Sequence, residues 1–187
     1  IVNTVFSGNS AALGGGIRNT SSSTLTISNS VFYGNGSDIS NSSSSGVTGA
    51  NNFSQNYTGT GFTALGADPF HDSSNPIGAD GEWFTDDDGL QPSSTSPLTD
   101  AGNTTKLPLD TADLDGDGDT SEAIPFDIIG RNRVLDTSVD VGAYEFDSTV
   151  SLSVKEIDRS RLDIYSTGYK TLVIHGVLNA KTTANVY

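Results

Sequence analysis

The segment Asp113-Leu114-Asp115-Gly116-Asp117-Gly118-Asp119-Thr120-Ser121-Glu122 places carboxylates at alternate positions among glycines. With acids at positions 1, 3 and 5 and glycine at 6, it reproduces the first half of a calcium-binding loop. Carboxylate oxygens suit a hard cation, and the glycine permits the sharp turn that aims them at one point. Position 12 departs from the pattern, because Ile124 stands where a bidentate Glu is needed. Calcium takes roughly six to eight oxygens, so the missing ones must come from Glu122, Asp127, Asp110 or backbone carbonyls. Asp113, Asp115, Asp117, Asp119 and Glu122 are therefore the expected Ca2+ ligands. A bare acidic turn is the alternative, but acids this close repel one another in an ordered loop at neutral pH, and a cation relieves that repulsion.

A second acidic stretch, Asp80, Glu82 and Asp86 to Asp88, lacks the alternate spacing that would fix a ligand geometry, so the case for an ion there is weaker. The two histidines, His71 and His175, stand far apart and read as surface or packing residues. No cysteine is present, which excludes disulfides, thiolate metal sites and cysteine nucleophiles.

Charge is distributed in three regimes. The net charge is -14, yet the stretch 1–60 holds only Arg18 and Asp38, whereas 61–149 carries 19 acids against 3 bases. The stretch 150–187 is mildly basic, with Lys155, Arg159, Arg161, Lys170 and Lys181 against Glu156, Asp158 and Asp163. Three units with boundaries near 60 and 149 follow. A negative field without a basic block repels phosphate backbones and anionic headgroups, so nucleic acid is excluded as a partner. Apolar runs such as Thr171 to Val177 are too short to span a bilayer. The chain opens on Ile1-Val2-Asn3 without a basic or apolar leader, so any targeting signal is expected upstream or already removed.

The elements that position the acidic loops begin with a repeat. Ser, Thr, Asn and Gly dominate the stretch 1–60, a composition that would suit a linker were it not periodic. Asn3-Thr4-Val5-Phe6-Ser7-Gly8-Asn9 returns as Asn29-Ser30-Val31-Phe32-Tyr33-Gly34-Asn35, and a weaker Phe53-Ser54-Gln55-Asn56 follows. Ile17-Arg18-Asn19 is echoed at nearly the same interval by Ile39-Ser40-Asn41. Self-similarity at such a period means a solenoid, and short alternating β-branched segments such as Leu25–Ser28 and Ser30–Phe32, without helical spacing, point to a parallel β-helix. Phe6, Phe32 and Phe53 should then stack inside, while Asn9, Asn35 and Asn56 should form a turn ladder in left-handed backbone. Trp83 and Phe84 should cap the solenoid core, with stacking on sugar as the alternative, since carboxylates flank the two aromatics.

Gly14-Gly15-Gly16-Ile17 with repeated Phe-x-x-Asn resembles the GGA-plus-aliphatic and FxxN repeats of polymorphic outer membrane proteins. More broadly, the stretch 1–60 resembles right-handed parallel β-helix domains of bacterial surface and polysaccharide-active proteins. Ser96-Pro97-Leu98-Thr99-Asp100-Ala101-Gly102 and Val139-Asp140-Val141-Gly142-Ala143-Tyr144-Glu145-Phe146 resemble the SPAIDAG and VDIGAYE signatures that end many such secreted domains, and Ile129-Gly130-Arg131-Asn132-Arg133 fits the same ending. The resemblance implies an acidic cap closing the β-helix over residues 61–149.

Beyond it, Val150–Val154, Arg161–Tyr165, Thr171–Ile174 and Ala184–Tyr187 read as strands of the start of an antiparallel β-sandwich. Their position after the closing signature resembles the C-terminal sorting domain of the Bacteroidetes type IX secretion system, although the chain stops before that family's later Gly turn and final basic strand. A generic immunoglobulin-like linker domain is the alternative. The sorting resemblance implies a translocon and shuttle components as partners and a secreted, cell-surface location.

The expected fold class is thus all-β, a right-handed parallel β-helix end followed by part of a small antiparallel sandwich. The expected function is a cell-surface protein for adhesion or carbohydrate binding. The alternative is the C-terminal, non-catalytic portion of a polysaccharide lyase or glycoside hydrolase. A lyase site needs a base and cationic groups on one face, and the stretch 1–60 offers only Arg18, Tyr33 and Tyr57. Glycine-rich, cation-binding loops are poor places to raise a general acid's pKa for glycosidic hydrolysis. No catalytic constellation is expected within the chain.

Overall fold

The computed structural model describes residues 1–147, 152–153, 163–166, 172–175 and 185–186, and the chain divides into two compact units, Ile1–Phe146 and Asp147–Tyr187. The described residues are all-β apart from a 3-10 turn at Thr104–Lys106, and no helix among them is long and apolar enough to cross a membrane.

Short β-branched and aromatic segments between Gly, Ser and Asn breaks form β1 (Val5–Ser7), β2 (Ile17–Asn19), β3 (Thr24–Ser28), β4 (Val31–Tyr33), β5 (Ile39–Asn41), β6 (Gly46–Ala50), β7 (Asn52–Ser54) and β8 (Phe62–Ala64). They pair only in parallel, in three small sheets ordered β1-β4-β7-β8, β2-β5 and β3-β6. Like residues meet across the pairs: Val5 faces Val31, Phe6 faces Phe32, Ile17 faces Ile39 and Leu25 faces Val47. The Phe6 and Phe32 rings stack 4.5 Å apart and 3° from parallel.

The third phenylalanine does not continue this stack. Phe53 pairs with Val31, and Ser54 takes the place opposite Phe32. Side chains alternate faces along a strand, so this one-position offset sends Phe53 to the other side of the sheet. Phe62 instead packs on Phe32, with ring centroids 6.2 Å apart.

The β1-β4-β7-β8 sheet is thereby covered on both faces. Phe6, Phe32 and Phe62 pack with Ile17, Ile27, Ile39 and Val47 in one core. Val5, Val31 and Phe53 pack with Leu65, Phe70, Leu98 and Val141 in another. Burial on both sides is why Val and Phe stand side by side in β1 and β4 instead of alternating with polar residues.

Two asparagine ladders tie successive turns of the chain. Asn9 Nδ2 donates to Asn35 Oδ1 at 3.1 Å, and Asn19 Nδ2 donates to Asn41 Oδ1 at 2.8 Å. Asn56 joins the first through the Asn35 backbone carbonyl at 3.2 Å. The left-handed corners fall elsewhere than expected, at Asn3, Asn29 and Asn51, with φ of 49°, 49° and 54°. Asparagine tolerates that conformation, and here its amide also holds the following segment: Asn29 exchanges two hydrogen bonds with the Asn103 backbone, and Asn51 donates to the Ala101 carbonyl. Asp38, the one acid of the repeat region, is fully buried and accepts from Asn35 Nδ2, Ser54 Oγ and the Asn56 amide.

Asn52 is buried completely; it accepts from the Ser30 amide at 2.9 Å and donates to the Ile27 and Gly61 carbonyls at 2.9 and 3.2 Å. Asn52→Ala strands those backbone groups in a water-free interior and is expected to lower the unfolding free energy by about 1–3 kcal/mol in urea denaturation. A loss below about 0.5 kcal/mol, the scale of a neutral surface change, would mean that these bonds are replaced at no cost.

From the stretch 65–146, Leu65, Phe70, Leu98 and Val141 pack on the Val5–Val31–Phe53 face of the four-stranded sheet. Leu98, Val139, Val141 and Tyr144 turn inward, which gives the two closing signatures their apolar spacing. Gly142 is required where it lies: its φ is 114°, and an added Cβ would sit 3.2 Å from Val5 and 3.4 Å from Val31. The acids between these apolar positions are buried as well. Asp140 accepts from the Asp100 and Phe146 amides, Asp127 from the Ile129, Arg131 and Glu145 amides, and Glu145 from the Asp140 amide. Arg133, 2% exposed, ion-pairs with Glu145 at 2.9 Å and donates to the Gly142 carbonyl at 2.7 Å.

Burial raises the Glu145 carboxyl above its ordinary value of 4.5, against the pull of Arg133 and with the nearby Asp140 and Asp127 adding to the rise. The folded state then holds this proton longer than the unfolded chain does. Its stabilising contribution is complete below the ordinary value and is lost as pH rises toward the raised one. Wild type should therefore lose unfolding free energy relative to Glu145→Gln as pH climbs from about 4.5. The slope of that difference is the readout in denaturation series at stepped pH, and a flat or rising difference contradicts it.

In the second unit, β9 (Leu152–Ser153) pairs antiparallel with β12 (Asn185–Val186), and β10 (Asp163–Ser166) pairs antiparallel with β11 (Leu172–His175). The remainder of the expected sandwich lies outside the described residues.

Candidate metal centre

The acidic loop grows from a short antiparallel neck. Leu109 bridges Ala123, flanked by hydrogen bonds from the Asp110 amide to the Glu122 carbonyl (2.9 Å) and from the Ile124 amide to the Pro108 carbonyl (3.0 Å). The neck sets Asp110 across from Glu122 and forces the intervening residues into a tight excursion. Asp113 (φ 53°), Gly116 (φ 75°) and Gly118 (φ 87°) take the left-handed conformations this demands, and only the two glycines adopt them without strain.

Inside the excursion the aspartates cap backbone amides a short way ahead. Asp113 accepts from the Gly118 amide at 3.0 Å, Asp115 from Asp117 at 3.3 Å, Asp117 from Asp119 at 2.7 Å, and Asp119 from both the amide and hydroxyl of Ser121. Such turns are what Asp does when it competes with regular structure for hydrogen bonds.

Carboxylate oxygens of the loop and its neck converge in two sets. Asp110, Asp115 and Glu122 each bring a carboxylate oxygen within 4.8 Å of the others, and so do Asp113, Asp115 and Asp117. Asp115 belongs to both. Of the five expected ligands, four fall into these sets and Asp119 into neither. The Ser121 hydroxyl, followed by its amide, holds the Asp119 carboxyl below the ordinary range. Asp110 joins Asp115 and Glu122 in the first set.

Asp110 is the informative member. It is 1% exposed; its Oδ2 accepts from the Leu114 amide at 2.7 Å, while its Oδ1 is buried with no hydrogen-bond partner. Glu122 Oε1 is likewise buried and unpartnered. A buried, unpaired carboxylate oxygen is costly unless something positive meets it. Burial, and after it the charges of Asp115, Asp117, Asp119 and Asp110, raise the Glu122 carboxyl. The donor set is all hard oxygen and flexible in geometry, which fits calcium better than a cation demanding nitrogen or sulfur.

The other acidic stretch is spent differently. Asp86 pairs with Arg131 at 2.9 Å. Asp87 accepts from the Ala79 and Asp80 amides and the Thr85 hydroxyl. Fully buried Asp88 accepts through Oδ2 from the Phe84 and Thr85 amides and the Tyr144 hydroxyl, while its Oδ1 has no partner; unlike Asp110, it has no second and third acid among the described residues converging on it. Burial, and then the Asp88 carboxylate, push the Tyr144 phenol above its ordinary range. Trp83 and Phe84 do not cap a core: they are 48% and 59% exposed, because Asp87 and Asp88 hold the turn with both rings outward.

The neck explains why Asp110 could be named in the sequence only as one supplier among several: its partnership with Glu122 depends on the Leu109–Ala123 register, which no local motif announces. Compared with protein families, with curated proteins and with solved structures, the chain matches none.

Proposed function

We propose that this chain is the closing part of a secreted, cell-surface parallel β-helix protein that serves adhesion or carbohydrate binding, with its acidic loop clamped by Ca2+. Three parallel sheets that each take one strand per turn of the chain, with like residues facing across them, support the β-helix reading. The clamp is carried by one observation, the buried, partnerless Oδ1 of Asp110 beside Asp115 and Glu122. Asp113 and Asp117 supply further oxygens around the shared Asp115.

A clamp of this kind suits a module that must stay folded outside the cell without disulfides. The antiparallel pairs β9–β12 and β10–β11 support a sorting-type sandwich read by a type IX translocon and its shuttle components. A purely structural role for this part of the chain is favoured by its buried acids: Asp88, Asp127, Asp140 and Glu145 are committed to backbone amides, the ion pair or Tyr144. The testing experiment is thermal unfolding with calcium and with chelator. The midpoint rises with calcium if the clamp exists and stays fixed if it does not.

A further inference from the structure

We infer that the Trp83–Phe84 turn is the carbohydrate-contact surface of this protein and that it takes neutral polysaccharide chains rather than anionic ones. The inference rests on the carbohydrate-binding part of the reading above and gives it a place.

Two large adjacent aromatics stand in solvent, and among the described residues neither ring pairs with another. Phe84 has a φ of 68°, a left-handed conformation that a bulky residue adopts only when its surroundings impose it. Those surroundings are specific. Asp88 Oδ2 accepts from the Phe84 amide at 2.8 Å and from the Tyr144 hydroxyl at 2.9 Å. Asp87 Oδ2 accepts from the Ala79 amide at 2.6 Å and the Asp80 amide at 3.1 Å. Gln91 Nε2 donates to the Asp86 carbonyl at 2.7 Å, while Arg131 holds the Asp86 carboxylate. The turn is thus built to present Phe84 outward, in a conformation where Gly or Asn would be easier and where the ring stays 59% exposed. Strain maintained at an exposed aromatic points to a contact made by that aromatic.

Its chemistry selects the partner. Aromatic faces receive the apolar C–H face of a pyranose ring, and exposed carboxylates accept from its hydroxyls; Asp80, Glu82 and Asp86 are exposed beside the two rings. The segment 78–90 contains five acids and no base, and Arg131 is already engaged by Asp86. That field repels uronates, sulfated glycans and phosphates. A pre-formed turn also spares the ordering cost that a mobile loop would incur on binding.

Trp83 is the only tryptophan in the chain, so fluorescence excited at the red edge, where tyrosine does not absorb, reports on this surface alone. The probes are neutral hexasaccharides of glucose, xylose and mannose, with oligogalacturonate as the anionic counter-probe. The expected result is a saturable blue shift of Trp83 emission with at least one neutral probe and none with oligogalacturonate. Phe84→Ala should weaken binding about tenfold. Retardation in gels cast with the matching polysaccharide should be lost in Trp83→Ala, whose unfolding midpoint should stay at the wild-type value. If wild type and Trp83→Ala are retarded alike, this site is overturned while carbohydrate binding stands. If wild type meets no neutral probe, the inference falls with the carbohydrate reading. The calcium clamp is decided separately by the unfolding midpoint.

Discussion

Arg133→Ala is expected to lower the unfolding free energy by about 3–5 kcal/mol, the scale for removing one partner of a buried ion pair. Arg133 and Glu145 are 2% and 1% exposed, so neither side chain has water to fall back on. The guanidinium also donates to the Gly142 carbonyl at 2.7 Å, at the point where the closing segment meets Val5 and Val31. Its removal leaves the buried Asp127 and Asp140 carboxylates, and Glu145 wherever it is ionised, without a cation. The pair is not an optimised one. Nη1 lies 2.9 Å from Glu145 Oε1 without an aligned hydrogen bond, and Nε has no partner. Replacing both charges by apolar residues of similar volume, Arg133→Met with Glu145→Leu, should therefore recover most of the loss. Urea denaturation of the two variants checks both claims. Equal losses in the single and the double variant would show that packing volume matters here and the charges do not.

Calcium should raise the thermal unfolding midpoint by roughly 5–10 °C when free calcium is about a hundredfold above its dissociation constant. Binding to the native state alone adds about 2.7 kcal/mol under those conditions, and a domain of this size gains roughly 2–4 °C per kcal/mol. Asp115→Ala should abolish the shift, because Asp115 supplies an oxygen to both converging sets. Asp119→Ala should keep it, because that carboxylate is occupied by the Ser121 amide and hydroxyl. Loop spacing alone treats the two residues as equivalent ligands. A shift that survives Asp115→Ala or vanishes in Asp119→Ala would place the ion elsewhere.

What the sequence could express was whatever repeats or alternates. Phe6 and Phe32 occupy the same place in one repeated motif, and their rings stack. The Ile17–Asn19 echo at Ile39–Asn41 became the β2–β5 pair, with an amide bond from Asn19 to Asn41. Phe53 was misplaced because Phe-x-x-Asn carries no marker of register, and its pairing partner is Val31, not Phe32. The left-handed asparagines were misassigned for a related reason. Every repeat offers several asparagines, and the choice of Asn29 and Asn51 depends on their bonds to Asn103 and Ala101, far along the chain. Trp83 and Phe84 look like core residues by type. Only the hydrogen bonds to Asp87 and Asp88 turn them outward. In the loop, alternate spacing made the convergence of Asp113, Asp115 and Asp117 legible, but the place of the buried Asp110 beside Asp115 and Glu122 needed the neck's antiparallel register to come into view.

Calorimetric titration of calcium into chelator-treated protein, for wild type and for Asp110→Asn, is the most direct test of the clamp. The substitution keeps the size of the side chain and removes the charge of the buried oxygen. Wild type should give a saturable binding heat, and Asp110→Asn should bind at least about tenfold more weakly, a loss of about 1.4 kcal/mol. No heat in wild type, or equal affinity in the two proteins, would contradict a calcium ion seated against Asp110.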